Sequence, residues 1–382
     1  MPIPALIGTR QTAHAVAMTK IVGWAVAGAG LLCGSGQLMA APVAAELERP
    51  AIVVAHPERA VLLGIAAAGK RRLVSVGERG LIIISDDFGL TWRQVATPVS
   101  VTLTAVHFVN ARSGWAVGHQ GVILHSADGG EHWQLQLDGN QAAQLALAAV
   151  QAQRMPPNAD PLEHERELKD AERLVEEGSD KPFFDIHFQN DHTGWAIGAY
   201  GLCFRTTDGG DNWQPWMQHL ANPDGLHLYA MAGLGQTLNV AGERGLLLSS
   251  SDGGISFHAV HAPYQGSFFT LTSTSPYQLI VAGMDGNAYR SNDSGKSWHA
   301  LANSGGGAWM ASTALNDNRV LLADQFGKFM VSQSKANTLV SLDSTPGIPI
   351  AAVLQTGDGN LVAAGLRGIS RIPLPAVVGS VQ

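Results

Sequence analysis

The feature that most constrains this chain is a spaced glycine pair, Gly-x-x-Gly, that returns at a nearly fixed interval. It occurs at Gly77/Gly80, Gly118/Gly121, Gly198/Gly201, Gly242/Gly245, Gly283/Gly286 and Gly365/Gly368, with a degenerate copy from Asp324 to Gly327. Successive copies begin 41, 80, 44, 41, 41 and 41 residues apart. Seven copies at this spacing, with one insert, describe an array of equivalent units whose architecture is set by the period.

A second pattern follows the first five pairs: SDDFGLTW (Ser85 to Trp92), SADGGEHW (Ser126 to Trp133), TTDGGDNW (Thr206 to Trp213), SSDGGISF (Ser250 to Phe257) and SNDSGKSW (Ser291 to Trp298). This is the Asp-box, or BNR, signature, and its chemistry suits a hairpin turn. Asp87, Asp128, Asp208, Asp252 and Asp293 accept backbone N–H bonds and glycine takes the positive φ. Trp92, Trp133, Trp213, Phe257 and Trp298 then fold back over the sheet. The second unit reads as four short strands, Leu103 to Val109, Gly114 to Gly118, Val122 to Ser126 and His132 to Leu137. Four strands in about 40 to 45 residues is the period of a propeller blade. The sequence therefore predicts an all-β, seven-bladed β-propeller over residues 46–376. The last unit runs from Ile372 into Pro373 and Pro375 where a fourth strand is due, so Pro50 to Ala55 is expected to supply that strand and close the ring.

Lys20 precedes an apolar run, Ile21 to Leu32, and then small residues around Met39 to Ala45, the layout of a secretory leader over residues 1–40, with Met18 as an alternative start. The run is too short and glycine-rich for a membrane span. Cys33 invites lipidation, but Leu32 stands where a small residue is needed. After cleavage Cys203 is the one cysteine left, so no internal disulfide is available and stability rests on packing. Losing Arg10 and Lys20 and no acid moves the formal charge from −7 to −9. Without a basic block, no nucleic acid is expected as a partner.

The long interval holds an insertion at residues 139–180. Gln141 to Met155 is rich in alanine and glutamine. Beyond Pro156 and Pro157, Pro161 to Glu177 sets Leu168, Ala171, Leu174 and Val175 on one side at helical spacing. A helical hairpin between blades two and three is expected. Asp160 to Glu177 carries eight acids and three bases, so the element is either a solvated rim or a docking arm.

In a four-stranded antiparallel blade, the second-to-third turn and the link to the next blade lie on one face and the third-to-fourth turn lies on the other. The glycine pairs and the insertion should share a face, with the Asp-boxes opposite. Between the glycines stand Glu78-Arg79, His119-Gln120, Ala199-Tyr200, Glu243-Arg244, Met284-Asp285, Gln325-Phe326 and Leu366-Arg367. Constant glycine is what a turn needs; varied long side chains at its tip are what a recognition surface needs. Arg79, His119, Tyr200, Arg244, Asp285, Phe326 and Arg367 are the candidate partner-binding residues, Arg and Tyr being favoured at hot spots. Ordinary solvated turn residues are the plain alternative.

GWAVGHQGVILHSADGGEHW (114–133) and GWAIGAYGLCFRTTDGGDNW (194–213) resemble the photosystem II stability/assembly factor family of BNR-repeat proteins. Members are seven-bladed propellers exported to the thylakoid lumen or the periplasm. The resemblance covers roughly residues 50–375 outside the insertion. It implies a non-enzymatic protein that binds assembly intermediates of a membrane complex through an arginine-containing face, to which Arg79, Arg244 and Arg367 correspond as turn positions. The acidic insertion departs from the photosynthetic pattern, and a non-photosynthetic bacterial relative serving another envelope complex is at least as strong an expectation as a photosystem factor. We expect a monomer.

Asp-boxes also occur in sialidases, so a glycoside hydrolase acting on envelope carbohydrate is the competing reading. Arg371-Ile372-Pro373 echoes a sialidase motif without its aromatic residue and at the wrong end, and the five tyrosines offer no nucleophile paired with Glu. Gly64 to Arg71 mimics a phosphate loop but lacks Ser or Thr after Lys70 and leads into a strand. The histidines show no metal spacing, and Cys203 reads as a buried hydrophobe. No catalytic residue, metal or cofactor is expected.

Overall fold

The computed structural model describes residues 45–374 apart from 154–160, 303–306, 334–336 and 344. The leader expected at 1–40, with Cys33, and the prolines Pro156 and Pro157 lie outside the described residues. The rest forms six four-stranded antiparallel sheets and one three-stranded sheet, each meandering in chain order. Blade one is Leu62–Ala67, Leu73–Gly77, Ile82–Ser85 and Arg93–Val95; blade seven is Ile350–Gln355, Leu361–Gly365 and Gly368–Ile372. The first strand of each blade lies innermost, beside the first strands of the two adjacent blades, and that of blade one meets that of blade seven. The ring is closed.

The apolar patterning follows from this arrangement. The second strand of a blade is buried on both sides, as in Gly114–Gly118. Trp115, Val117 and Ile123 pack with Phe183, Ile186 and Phe188 of blade three, whereas Ala116, Val122 and Leu124 pack with Val74, Val76, Ile82 and Ile84 of blade one. Alternate residues of a strand thus face opposite neighbours, and the core is a series of apolar layers between blades. Trp115 lies flat on Phe188, ring centroids 3.5 Å apart.

Closure differs from the sequence expectation. Residues 50–55 form no strand and do not join blade seven. They run along the outer strand of blade one instead: Ala51 N donates to Thr97 O at 3.1 Å, and the Gln94 amide accepts from Val54 N and donates to Ile52 O. The N–H groups of Ala51 and Val54 and the Ile52 carbonyl are therefore taken by blade one and do not form a ladder beside Ile369–Ile372. Pro57–Arg59 makes a 3₁₀ turn whose backbone passes directly over Gly368, where a Cβ would lie 2.0 Å from Glu58 O. Blades seven and one close instead by side-chain packing of Leu73, Leu354 and Val362 with Trp92 and Ile369, reinforced by Arg371 Nε donating to Phe88 O at 3.2 Å.

The insertion is a helical pair, α1 (Gly139–Ala152) and α2 (Pro161–Glu177). Asp138 caps α1 in a reciprocal box, accepting from Asn140 N and Gln141 N while Gln141 Oε1 accepts from Asp138 N. Ala142, Ala143 and Ala146 are buried, and so is Ala171 of α2. Leu174 packs onto the layer between blades two and three, leaving the charges of α2 outward.

Candidate functional site

The glycine pairs build one turn five times. In blade one Leu81 N donates to Glu78 O at 3.0 Å, with Arg79 at φ 53° and Gly80 at φ 74°. Gln120/Gly121, Tyr200/Gly201, Arg244/Gly245 and Asp285/Gly286 repeat the two positive angles. Two successive left-handed residues define the hairpin turn that matches strand twist, for which Asn-Gly is the favoured pair. Glycine at the second place is compulsory: a Cβ on Gly80 would stand 2.1 Å from Val99 O. A left-handed non-glycine residue costs about 1–2 kcal/mol, yet the first place holds Arg, Gln, Tyr, Arg and Asp. Blade six differs, since the Asp324 carboxylate accepts from Phe326 N and Lys328 N and Gly327 takes the positive φ. In blade seven Leu366 and Arg367 bridge the paired Gly365 and Gly368.

Arg79, His119, Tyr200, Arg244, Asp285, Phe326 and Arg367 are all exposed, and strand order puts their turns on one face. The insertion shares that face, because α1 starts where a Cβ on Gly121 would meet Gly139 Cα at 2.6 Å. The residue equivalent to Arg79 in blade two is Gln120 rather than His119, and its amide donates to Glu46 Oε2 at 2.9 Å. Tyr200 is braced by His227 and lies under the Lys181 ammonium, 5.1 Å from its ring. Asp285 accepts from the Tyr264 hydroxyl. The arginines stand apart. Among the described residues, the others reach a carboxylate, a carbonyl, a hydroxyl or an aromatic face. Arg79, Arg244 and Arg367 make no such contact. Arg367 and Arg79 occupy adjacent blades, and Arg244 lies three blades away.

One set of residues on this face escaped the sequence reading. Leu62 pairs with Gly77 and Gly64 with Val76, which leaves Leu63 unpaired as a β-bulge. Thr104, Phe184, Tyr229, Phe269, Met310 and Ala351 are skipped in the same way in the other six blades. The residue before each bulge pairs with the first residue of that blade's glycine-pair motif, so the seven bulges ring the axis at the level of this face. A signal existed, since each lies 14 residues before that first position, 13 in blade four.

On the opposite face the Asp-box carboxylates close their own turns. Asp87 accepts from Ser85 Oγ, Leu90 N, Thr91 N and Thr91 Oγ1, and the Trp92 indole donates to Gly89 O. Asp128, Asp208, Asp252 and Asp293 repeat the scheme. Burial pushes the Asp87 carboxyl upward, but the Thr91, Ser85 and Leu90 bonds outweigh it and hold the pKa at about 2. These carboxylates are committed to their turns. Trp133, Trp213 and Phe257 are buried, while Trp92 and Trp298 stay half-buried. The other motifs also resolve as structure: Lys70 lies in the first-to-second turn of blade one, Arg371 binds Asp358, and burial pushes the Cys203 thiol far up.

The sequence pattern of the family described as Photosynthesis system II assembly factor YCF48 matches residues 61–154 and 166–340. This chain belongs to that family. The match to the YCF48 pattern ends before blade seven, which the structure completes. Among solved structures, "YCF48 bound to D1 peptide" superposes with a TM-score of 0.59 at 16% identity, covering 86% of this chain and 99% of that one. "YCF48 from Cyanidioschyzon merolae" gives 0.59 at 13%, covering 85% and 98%. The WD40 beta propeller domain of Doa1 gives 0.59 at 10%, covering 87% and 97%. At such identities the shared property is the propeller fold. No curated protein sequence matches the chain.

Proposed function

We propose that this chain is an exported, non-enzymatic scaffold that holds a partner protein on its glycine-pair face while a membrane complex is assembled. One observation carries the reading. Three arginines without partners sit at exposed turn tips, and two of them, Arg79 and Arg244, occupy left-handed positions where Asn or Gly would cost less. Unpaired guanidiniums at a cost in backbone energy suit recognition of carboxylates in trans. The family description and the solved YCF48 bound to D1 peptide support a protein segment as the ligand. The leader pattern at 1–40 supports export, to the periplasm or to the lumen of a photosynthetic membrane. The test is to change Arg79, Arg244 and Arg367 together to Glu. Capture of a membrane protein from detergent-solubilised envelope should be lost while the melting temperature holds; retained capture removes the arginines from the account.

A further inference from the structure

We infer that the axial mouth on the glycine-pair face is a socket for an extended partner segment carrying apolar side chains next to carboxylates. This rests on the proposed function and names the chemistry that its face takes.

The bulge ring supplies the apolar half. Blades three to six place Phe184, Tyr229, Phe269 and Met310 at consecutive bulges, with ring centroids 5.6 Å apart for Phe184 and Tyr229 and 5.4 Å for Tyr229 and Phe269. The tips of blades three, five and six add Tyr200, Met284 and Phe326, which are 64%, 40% and 63% exposed, while the tip of blade four carries Arg244. Bulges turn a side chain out of the ladder and occur where one must be re-aimed. Here the re-aimed residues are large and apolar on four adjacent blades and left partly in water, which marks an interaction surface.

Charge supplies the orientation. Across the mouth, blades seven and one carry Ala351 and Leu63 at the bulges and the unpaired Arg367 and Arg79 at the tips. Nearby tip carboxylates are largely engaged: Glu243 accepts from His227 N and Asp285 from the Tyr264 hydroxyl, while Glu78 stands beside Arg79 without bonding to it. A segment lying across the mouth sets apolar side chains on the crescent and carboxylates against the arginines.

The test uses the whole chain and two synthetic peptides, an acidic one with Phe-Leu at its centre and the same peptide with Ser-Ser, titrated by fluorescence anisotropy. Burying two apolar side chains predicts that the Phe-Leu peptide binds at least about tenfold tighter. Tyr229→Ser with Phe269→Ser, or the more exposed Met310→Ser if that pair unfolds, should shrink the preference toward unity. Equal affinities for the unaltered chain, or no binding of either peptide, overturn the socket. Changing the three arginines to Glu should weaken both peptides alike. Unchanged affinity there, with the preference intact, would leave the socket standing and overturn the role given to the arginines.

Discussion

Tyr200 donates its backbone N–H to Nδ1 of His227 at 2.8 Å, and its ring meets the imidazole edge-on with centroids 4.8 Å apart. His227 belongs to the link that enters blade four, so this bond ties the tip of one blade to the next. With Nδ1 accepting, the neutral imidazole carries its proton on Nε2. His227→Ala removes the acceptor and the ring contact together. Losing about 1 kcal/mol of local support should speed amide exchange at Tyr200 by roughly fivefold. Exchange unchanged from the parent chain would show that the bond does not hold the tip.

Arg79 offers a stability–function exchange. Asn tolerates the left-handed region better than Arg, so Arg79→Asn should raise stability by a few tenths to about 1 kcal/mol in urea unfolding. The same variant should bind the acidic peptide more weakly. A variant that is both less stable and equally competent in binding would contradict the assignment.

Closure by blade packing predicts an order of effects. Leu73 is 2% exposed in the layer that joins blades one and seven, so Leu73→Ala should cost about 2–5 kcal/mol. Removing residues 45–54 takes away hydrogen bonds at the outer edge of blade one and should cost less. The reverse ranking in thermal unfolding would return ring closure to the N-terminal segment.

Acid should weaken the fold through titratable groups on the innermost strands of blades two and three. Burial holds His107 at about 4, and burial with the neighbouring His107 holds His187 at about 3, both below 6.5. The unfolded chain binds those protons first, so stability falls as pH drops from 6.5 toward these values. Asp185 acts in the opposite sense, because burial raises it from 3.8 to about 6 although it accepts from Ile186 N and Met231 N. Its deprotonation costs stability as pH rises through that range, offsetting part of the histidine effect. The melting temperature should therefore drop between about pH 7 and about pH 4, and by less in His107→Gln with His187→Gln. An equal drop in that variant would place the acid sensitivity elsewhere.

The blades were legible because two turn chemistries recur at one spacing. Gly80 cannot be replaced beneath Val99 O, and Asp87 closes its own turn, so each leaves a mark in the sequence whatever surrounds it. Ring closure left no such mark: Pro50 to Ala55 is apolar enough for a strand, but its backbone bonds go to Thr97 O and the Gln94 side chain, partners that no local pattern announces. The bulges were hidden for a related reason. Phe184 and Tyr229 continue apolar runs, so their fixed spacing to Gly198 and Gly242 marks the place without showing that they leave the ladder, which only the pairing does. In blade two the left-handed place falls on Gln120, the second residue between the glycines as Arg79 is, so the motif register already pointed to Gln120 rather than His119.

The most direct test asks which face meets the partner. A photo-crosslinking amino acid placed at Phe326 or Leu366 samples the glycine-pair face, and one at Leu90 or Ile255 samples the Asp-box face; all four positions are exposed. Illumination in cells should yield partner adducts from the first two positions and none from the second two. Adducts from Leu90 or Ile255, with none from Phe326 or Leu366, would contradict the account.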